Sequence, residues 1–338
     1  MGIFTNKKVL ITGGTGSLGI ALTKRILKED VDTIRIFSRD EWKQVNLQNS
    51  ISDERLRYFI GDIRDKDRLY RALEDIDIVI HAAALKHVPV AEYNPFEAVK
   101  TNVFGAQNLI EGCLDKGVSF AIGVGTDKAV APLNTYGATK LLMERLFVSA
   151  NYYKGKHKTV FSCVRYGNVM GSRGSIIPYL TSQINTNKSI KITDPMMTRF
   201  NITMNEAVDL VIRGLQKPIP GLILVPKLKA YRLGDLVDTI IGLSDKKVII
   251  EKMPIRSGEK NHESLITSNE IRNTYETKYD YLVYERQNFI KNVNVLKNRF
   301  IHKTELTEDY SSNKVPLLTK IELRDLLINQ DLINFTKN

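Results

Sequence analysis

The sequence predicts an α/β fold, a doubly wound parallel sheet with a smaller domain toward the C-terminus. Three observations carry this reading. Short β-branched runs alternate with helical stretches through the first half, the runs are largely apolar, and a glycine-rich turn follows the first of them. Continuous apolar strands with helices between them indicate parallel strands covered on both faces.

Lys8 to Thr12 (KVLIT) is the first strand, and a helix runs from the glycine turn to about Glu29. Thr33 to Ser38 (TIRIFS) is the second strand. Arg57 to Ile60 (RYFI) is the third, followed by Gly61-Asp62 and a charged helix. Ile76 to Ala82 is the fourth, with a helix over about Pro95 to Lys116. Ser119 to Val124 is the fifth, and Thr159 to Arg165 the sixth, after a helix around Lys140. From about Ser175 proline-containing turns break the pattern, with helices near Asn205 to Gln216 and Leu233 to Leu243. We therefore expect residues 1–174 to form a dinucleotide-binding domain, elements near 201–226 to return to it, and 175–338 to be mainly a cap. After about Ser264 only a helix near Lys320 to Ile328 is legible.

Composition sets the limits. A chain of 338 residues, 43% hydrophobic and 26% charged, can bury a large core and a second smaller one. The net charge is +11, but Lys and Arg are scattered, and the densest spot, Lys154 to Lys158, reads as a surface turn. No nucleic-acid face is expected, while a basic surface suits a ligand carrying several phosphates. Cys113 and Cys163 lie in apolar runs and read as free thiols in a reducing cytoplasm. Neither a leader nor an uninterrupted apolar run of about 18 residues is found, so no membrane segment is expected.

The chemistry begins at Thr12-Gly-Gly-Thr-Gly-Ser-Leu-Gly19, directly after the first strand. Gly13, Gly16 and Gly19 are spaced by three, with Thr15, Ser17 and Leu18 in the same turn. Such a turn lets backbone amides reach a dinucleotide pyrophosphate at a helix N-terminus, the Rossmann-type arrangement. Ser38-Arg39 ends the second strand, where NAD enzymes place a carboxylate on the ribose. An Arg there suits the adenosine 2′-phosphate, so the expected cofactor is NADP. Asp62 and Ile63 after the third strand, and Ala82, Ala83 and Ala84 after the fourth, fall where a cofactor passes.

Tyr136 and Lys140 are four residues apart and project from one helix face. A cationic Lys beside an oxidised nicotinamide favours tyrosinate, drawing the phenol from about 10 toward neutrality. Thr126-Asp127-Lys128 ends the fifth strand and sets an acid and a base beside a hydroxyl. Hydride transfer alone needs neither, whereas removing water next to a ketone needs both. Plainer readings stand beside these: a surface Arg at 39, a loop ion pair at Asp127-Lys128, and a core His81. His87 and His262 could line a pocket, His157 and His302 look exposed, and no spacing suggests a metal site.

The runs LITGGTGSLG, IFSRDE, IGDIRD, HAAALKHVPVAEYNP, TDKAVAPLNTYGATK, RYGNVMGSRGSIIP and ITDPMMTRF resemble the UDP-N-acetylglucosamine 4,6-dehydratases. The likeness is strongest to the configuration-inverting group that opens pseudaminic acid synthesis, for surface glycan or flagellin sugars. It covers about residues 5 to 265 densely and Tyr310 to Ser312 weakly. It implies that Tyr136 and Lys140 are the catalytic pair, Asp127 the acid, Lys128 the base and Thr126 the active-site hydroxyl. It implies that Asn168, Arg173, Thr198, Arg199, Arg256 and Glu259 hold UDP-N-acetylglucosamine, and that Lys86 serves both ligands; a homo-oligomer is expected. Two departures stand out: Gly125 where the family pattern has Ser, and Ser257-Gly-Glu-Lys-Asn where it has Pro-Gly-Glu-Lys-Leu. Two other functions share the fold, a UDP-sugar 4-epimerase and a non-catalytic NADP-sensing regulator. The first needs no Asp-Lys pair after strand five, and the second needs no Tyr-Lys pair.

Overall fold

The computed structural model of the chain describes residues 2–333 and 335, apart from 187–188, 217, 245 and 285–300. β1 (Lys8–Thr12) leads through the glycine turn into α1 (Ser17–Ile26), followed by β2 (Thr33–Ser38) and α2 (Glu41–Ser50). β3 (Leu56–Ile60), α3 (Lys66–Ala72) and β4 (Ile78–His81) come next. α4 (Val88–Tyr93), α5 (Pro95–Val99) and α6 (Gly105–Asp115) then lead to β5 (Phe120–Val124), and α7 (Thr135–Tyr153) leads to β6 (Val160–Val164). Alternate residues feed two cores. Val9 and Ile11 pack with Leu22 and Val211 on one face, and Leu10 packs with Leu109 and Phe147 on the other.

Beyond β6 the chain passes repeatedly between this sheet and a smaller lobe. β7 (Asn168–Val169), α8 (Ile176–Thr186), β8 (Ser189–Ile192) and β9 (Thr198–Ile202) precede α9 (Met204–Gln216), which packs on α1, β5 and β6. β10 (Leu222–Pro226) then joins the sheet beside β6. β11 (Ala230–Arg232), α10 (Leu233–Gly242) and β12 (Ile249–Lys252) return to the lobe. β13 (Ser264–Ile266), α11 (Ser268–Ile271), β14 (Thr274–Glu276), β15 (Asp280–Tyr284), β16 (His302–Lys303), β17 (Tyr310–Ser311) and α12 (Lys320–Asn329) complete the described elements. The lobe has its own core, with Ile177, Leu180, Tyr231, Leu236 and Leu323 at its centre.

The main sheet has ten strands in the order β16-β14-β15-β10-β6-β5-β4-β1-β2-β3. Strands β3 through β10 run parallel, and β15, β14 and β16 extend the edge antiparallel. Strand order reverses between β1 and β4, and the crevice past their carboxyl ends is where such sheets take ligands.

The structure differs from the sequence reading in three places. The single helix expected over 95–116 is broken by a π-helical turn at Lys100–Phe104. That turn lets buried Asn102 accept from the Leu85 amide and donate to its carbonyl, fixing the loop after β4. α2 was not foreseen, because only Gln44 and Leu47 along it are buried and its apolar periodicity is weak. Residues 274–284, assigned to the cap, instead add β14 and β15 to the main sheet. Among the described residues, no helix is long and apolar enough to cross a membrane.

Candidate active site

A cleft of about 1510 Å³ opens at the carboxyl ends of β1, β4 and β5 and runs toward the smaller lobe. Its first wall is the glycine turn. Gly13 has φ +66°, and a Cβ there would stand 2.8 Å from the Ala83 Cα, so only glycine lets the turn lie on the strand end at Ala82–Ala84. Gly16 is the N-cap of α1 with no side-chain cap, and no acid occupies the first turn. The leading amides and positive end of α1 therefore face the cleft, which fits a phosphate. Gly13, Thr15, Gly16, Ser17, Leu18, Gly19, Ser38, Arg39, Ile63, Ala82, Ala83, Ala84 and Lys86 all line it.

Asp62 is not part of that lining. Its carboxylate is held by Arg64 at 2.7 Å and lies 3.6 Å from Arg39 Nη1. Ser38 is buried, and Gln44 Nε2 donates both to its hydroxyl at 3.0 Å and to its carbonyl at 3.1 Å. Arg39 stays exposed at the cleft edge, beside Lys43, whose Nζ pairs with Asp40 at 2.6 Å. Two cations thus stand past β2.

The second wall carries the titratable groups. Thr126 follows β5 and caps a short turn at Asp127–Ala129. Lys128 Nζ donates to Asp127 Oδ1 at 3.1 Å and to Asn168 Oδ1 at 3.1 Å, and it lies 3.6 Å from Glu263 Oε1. Burial would lower the pKa of this ammonium, but Asp127 and Glu263 outweigh it and hold Lys128 in its charged form. Lys128, the base of the sequence reading, is thus an ammonium hydrogen-bonded to the carboxylate read as the acid. Asp127 is the more enclosed of the two. Its side chain is fully buried and lines no part of the cleft, although Thr126 and Lys128, which hydrogen-bond to it, do. Thr126 Oγ1 donates to Asp127 Oδ1 at 2.9 Å, and the buried Asp127 Oδ2 has no hydrogen-bond partner among the described residues.

α7 begins where Asn134 Oδ1 accepts from the Gly137 amide at 2.8 Å, and this cap directs Tyr136 and Lys140 into the cleft. Burial raises the Tyr136 phenol, opposed by the Lys128 charge and a hydrogen bond with Thr126. Burial also pushes Lys140 down to about 8, with Glu144 one turn on opposing the shift. Burial thus works against tyrosinate and against the Lys140 ammonium alike, while the Lys128 charge favours tyrosinate. The physical reason is desolvation, which disfavours both charged forms.

The third wall comes from the lobe. Asn168, Arg173, Arg199, Arg256 and Glu259 line the cleft, and Arg199 Nη2 meets Glu259 Oε1 at 3.3 Å. Thr198 does not line it: its hydroxyl is taken up by His262 Nδ1 at 2.8 Å and Ser312 Oγ at 2.7 Å. His87 lines the cleft, whereas His81 is fully buried, stacked on Phe147 and hydrogen-bonded to Thr12. Burial holds the His81 pKa down at about 3, so the ring is neutral. Cys113 and Cys163 are buried and unpaired.

Sequence reasoning missed Glu263 and Gln44. Glu263 sits four residues beyond Glu259, but nothing in its segment announces that it reaches Lys128. Gln44 lies on the unforeseen α2.

Residues 9–285 match the pattern of a family described as "Polysaccharide biosynthesis protein". The UDP-N-acetylglucosamine 4,6-dehydratase (inverting) of Campylobacter jejuni is 43% identical, over 93% of this chain and 95% of its own. A protein named UDP-glucose 4-epimerase, from Rickettsia bellii, is 39% identical over 98% of both chains. Among solved structures, Pen from Bacillus thuringiensis matches with a TM-score of 0.91 at 39% identity, covering 98% of this chain and 99% of that one.

Proposed function

From the premise that the chain belongs to the polysaccharide biosynthesis protein family, we propose that it is a cytoplasmic, NADP-dependent 4,6-dehydratase of UDP-N-acetylglucosamine that inverts carbon 5. The observation that carries the reading is the cluster Asp127, Lys128 and Glu263 beside Tyr136. An epimerase needs the tyrosine and the nicotinamide; it has no use for an acid-base pair that can expel a hydroxyl. The Arg39–Lys43 end of the cleft supports NADP, and the open N-terminus of α1 supports a dinucleotide pyrophosphate.

The bound nicotinamide supplies reversible hydride acceptance. The protein's own groups move the protons. Tyr136 takes the proton of the carbon 4 hydroxyl, and the resulting ketone acidifies the proton on carbon 5. Lys128 becomes a base once it passes a proton to Asp127 across their 3.1 Å hydrogen bond. The neutral amine then takes the carbon 5 proton. The protonated Asp127 then donates to Thr126 Oγ1, 2.9 Å away, as the Thr126 hydroxyl, which lines the cleft, turns to give its own proton to the departing carbon 6 hydroxyl. Glu263 keeps the region negative enough to recharge Lys128. Inversion is supported by the likeness to the inverting dehydratases, the Campylobacter jejuni enzyme among them.

The Rickettsia name favours a second reading, a UDP-sugar 4-epimerase. Split variants separate the two. Tyr136→Phe should abolish the first oxidation, while Asp127→Asn and Lys128→Ala should retain part of it and lose dehydration by about a hundredfold or more. Single-turnover cofactor absorbance reads the oxidation and mass spectrometry reads the water loss. Full water loss in both the Asp127 and Lys128 variants would remove the dehydratase reading.

A further inference from the structure

We propose that Gly171–Ser175 is a clasp over the phosphate-binding turn, and that Arg173 in it is a ligand of the dinucleotide rather than of the nucleotide sugar. The family likeness assigned Arg173 to the sugar side; its contacts lie on the other. The Arg173 guanidinium donates to the Thr15 carbonyl, and its backbone amide donates to Ser17 Oγ at 3.2 Å. Both halves of the residue are thus fastened to the turn that opens α1. From across the cleft, Lys86 Nζ donates to the Arg173 carbonyl at 2.9 Å. Asp40, past β2, is held below the usual carboxylate range by hydrogen bonds from Lys43 and also by the charge of Arg173. Among the described residues, no hydrogen bond or ion pair joins Arg173 to Asn168, Arg199, Arg256 or Glu259.

The backbone is shaped for closure. Gly171 (φ +67°) and Gly174 (φ +75°) bracket Arg173 in the left-handed region. A Cβ on Gly174 would lie 2.3 Å from His87 Cε1, so the segment lies directly on the Lys86-His87 loop. Two loops from different parts of the chain therefore meet over the glycine turn. A carbonyl is a weak partner for a guanidinium beside a helix N-terminus. A phosphate oxygen there would take the same donors in charge-assisted bonds, roughly twice as strong. The clasp would then close on the dinucleotide and slow its exit. This use rests on the proposed NADP chemistry, in which the cofactor ends each turnover unchanged, in a dehydratase or an epimerase alike, and has no need to leave.

The test is binding without turnover, so an epimerase would give the same answer and the two readings fail separately. Release of bound NADPH is followed by its fluorescence in a stopped-flow chase with excess NADP, and UDP affinity is measured on the NADP-loaded protein. Arg173→Ala should speed NADPH release by about tenfold or more, the scale of one lost charge-assisted hydrogen bond, and leave UDP affinity unchanged. Gly174→Ala keeps the guanidinium but strains the left-handed backbone of the clasp and crowds the His87 ring, and it should also speed release. Unchanged NADPH release with weakened UDP binding in Arg173→Ala would overturn the proposal and return Arg173 to the sugar side. No change in either constant would overturn it as well.

Discussion

At the scale of single residues, the glycine turn, Arg39, Thr126, Lys128, Tyr136 and Lys140 all reach the one cleft. They were legible because each follows a strand or opens a helix, where backbone direction alone aims the side chain. Asp62, Asp127 and Thr198 come from equally legible motifs and do not line the cleft. Burial and local partners decide those cases, and neither can be read from spacing. The charge states show the same limit. Lys140 sits on the expected helix face, but its surroundings push it down to about 8. Burial disfavours the ammonium, so Lys140 carries its charge below that value and loses it as pH rises through about 8. With the charge needed beside Tyr136, kcat should fall on the alkaline side near there. Lys140→Arg, charged throughout, should move that limb upward, as kcat measured across pH would show. An unmoved limb would take the loss away from Lys140.

At the scale of elements, β1 to β6 and the helix that carries Tyr136 and Lys140 follow from apolar runs and caps. The connections between elements do not. Arg165 on β6 is fully buried between Glu144 of α7 (2.8 Å) and Glu270 of α11 (3.0 Å), and it donates to the Leu265 carbonyl at 2.9 Å. This places Glu144 against Gly125, where a Cβ would stand 2.2 Å from Glu144 Oε1 and 2.7 Å from the Val164 carbonyl. The departure from Ser at this position thus has a physical reason in this chain. Gly125→Ser should lower stability by about 1–3 kcal/mol, the usual cost of overpacking, and lower the thermal midpoint. A midpoint equal to that of the parent would mean that Glu144 can move aside freely.

At the scale of the whole molecule, part of the net charge of +11 lies where the ligands would lie. Nine Lys and Arg side chains line the cleft against four carboxylates, which suits two ligands that each carry a diphosphate. The sequence did not show that residues 274–284 would return to the main sheet. Strands β14 and β15 are short and lie beyond a long irregular stretch, so no periodic signal marks them. The central claim is that a Rossmann-type sheet here removes water from a nucleotide sugar. It is tested most directly by incubating the protein with UDP-N-acetylglucosamine and NADP in deuterated water, then reading the product by mass spectrometry and NMR. The account predicts loss of one water, one deuterium at carbon 5 and the L-arabino configuration. A D-xylo product would contradict inversion alone, and UDP-N-acetylgalactosamine formed with no loss of water would contradict the whole account.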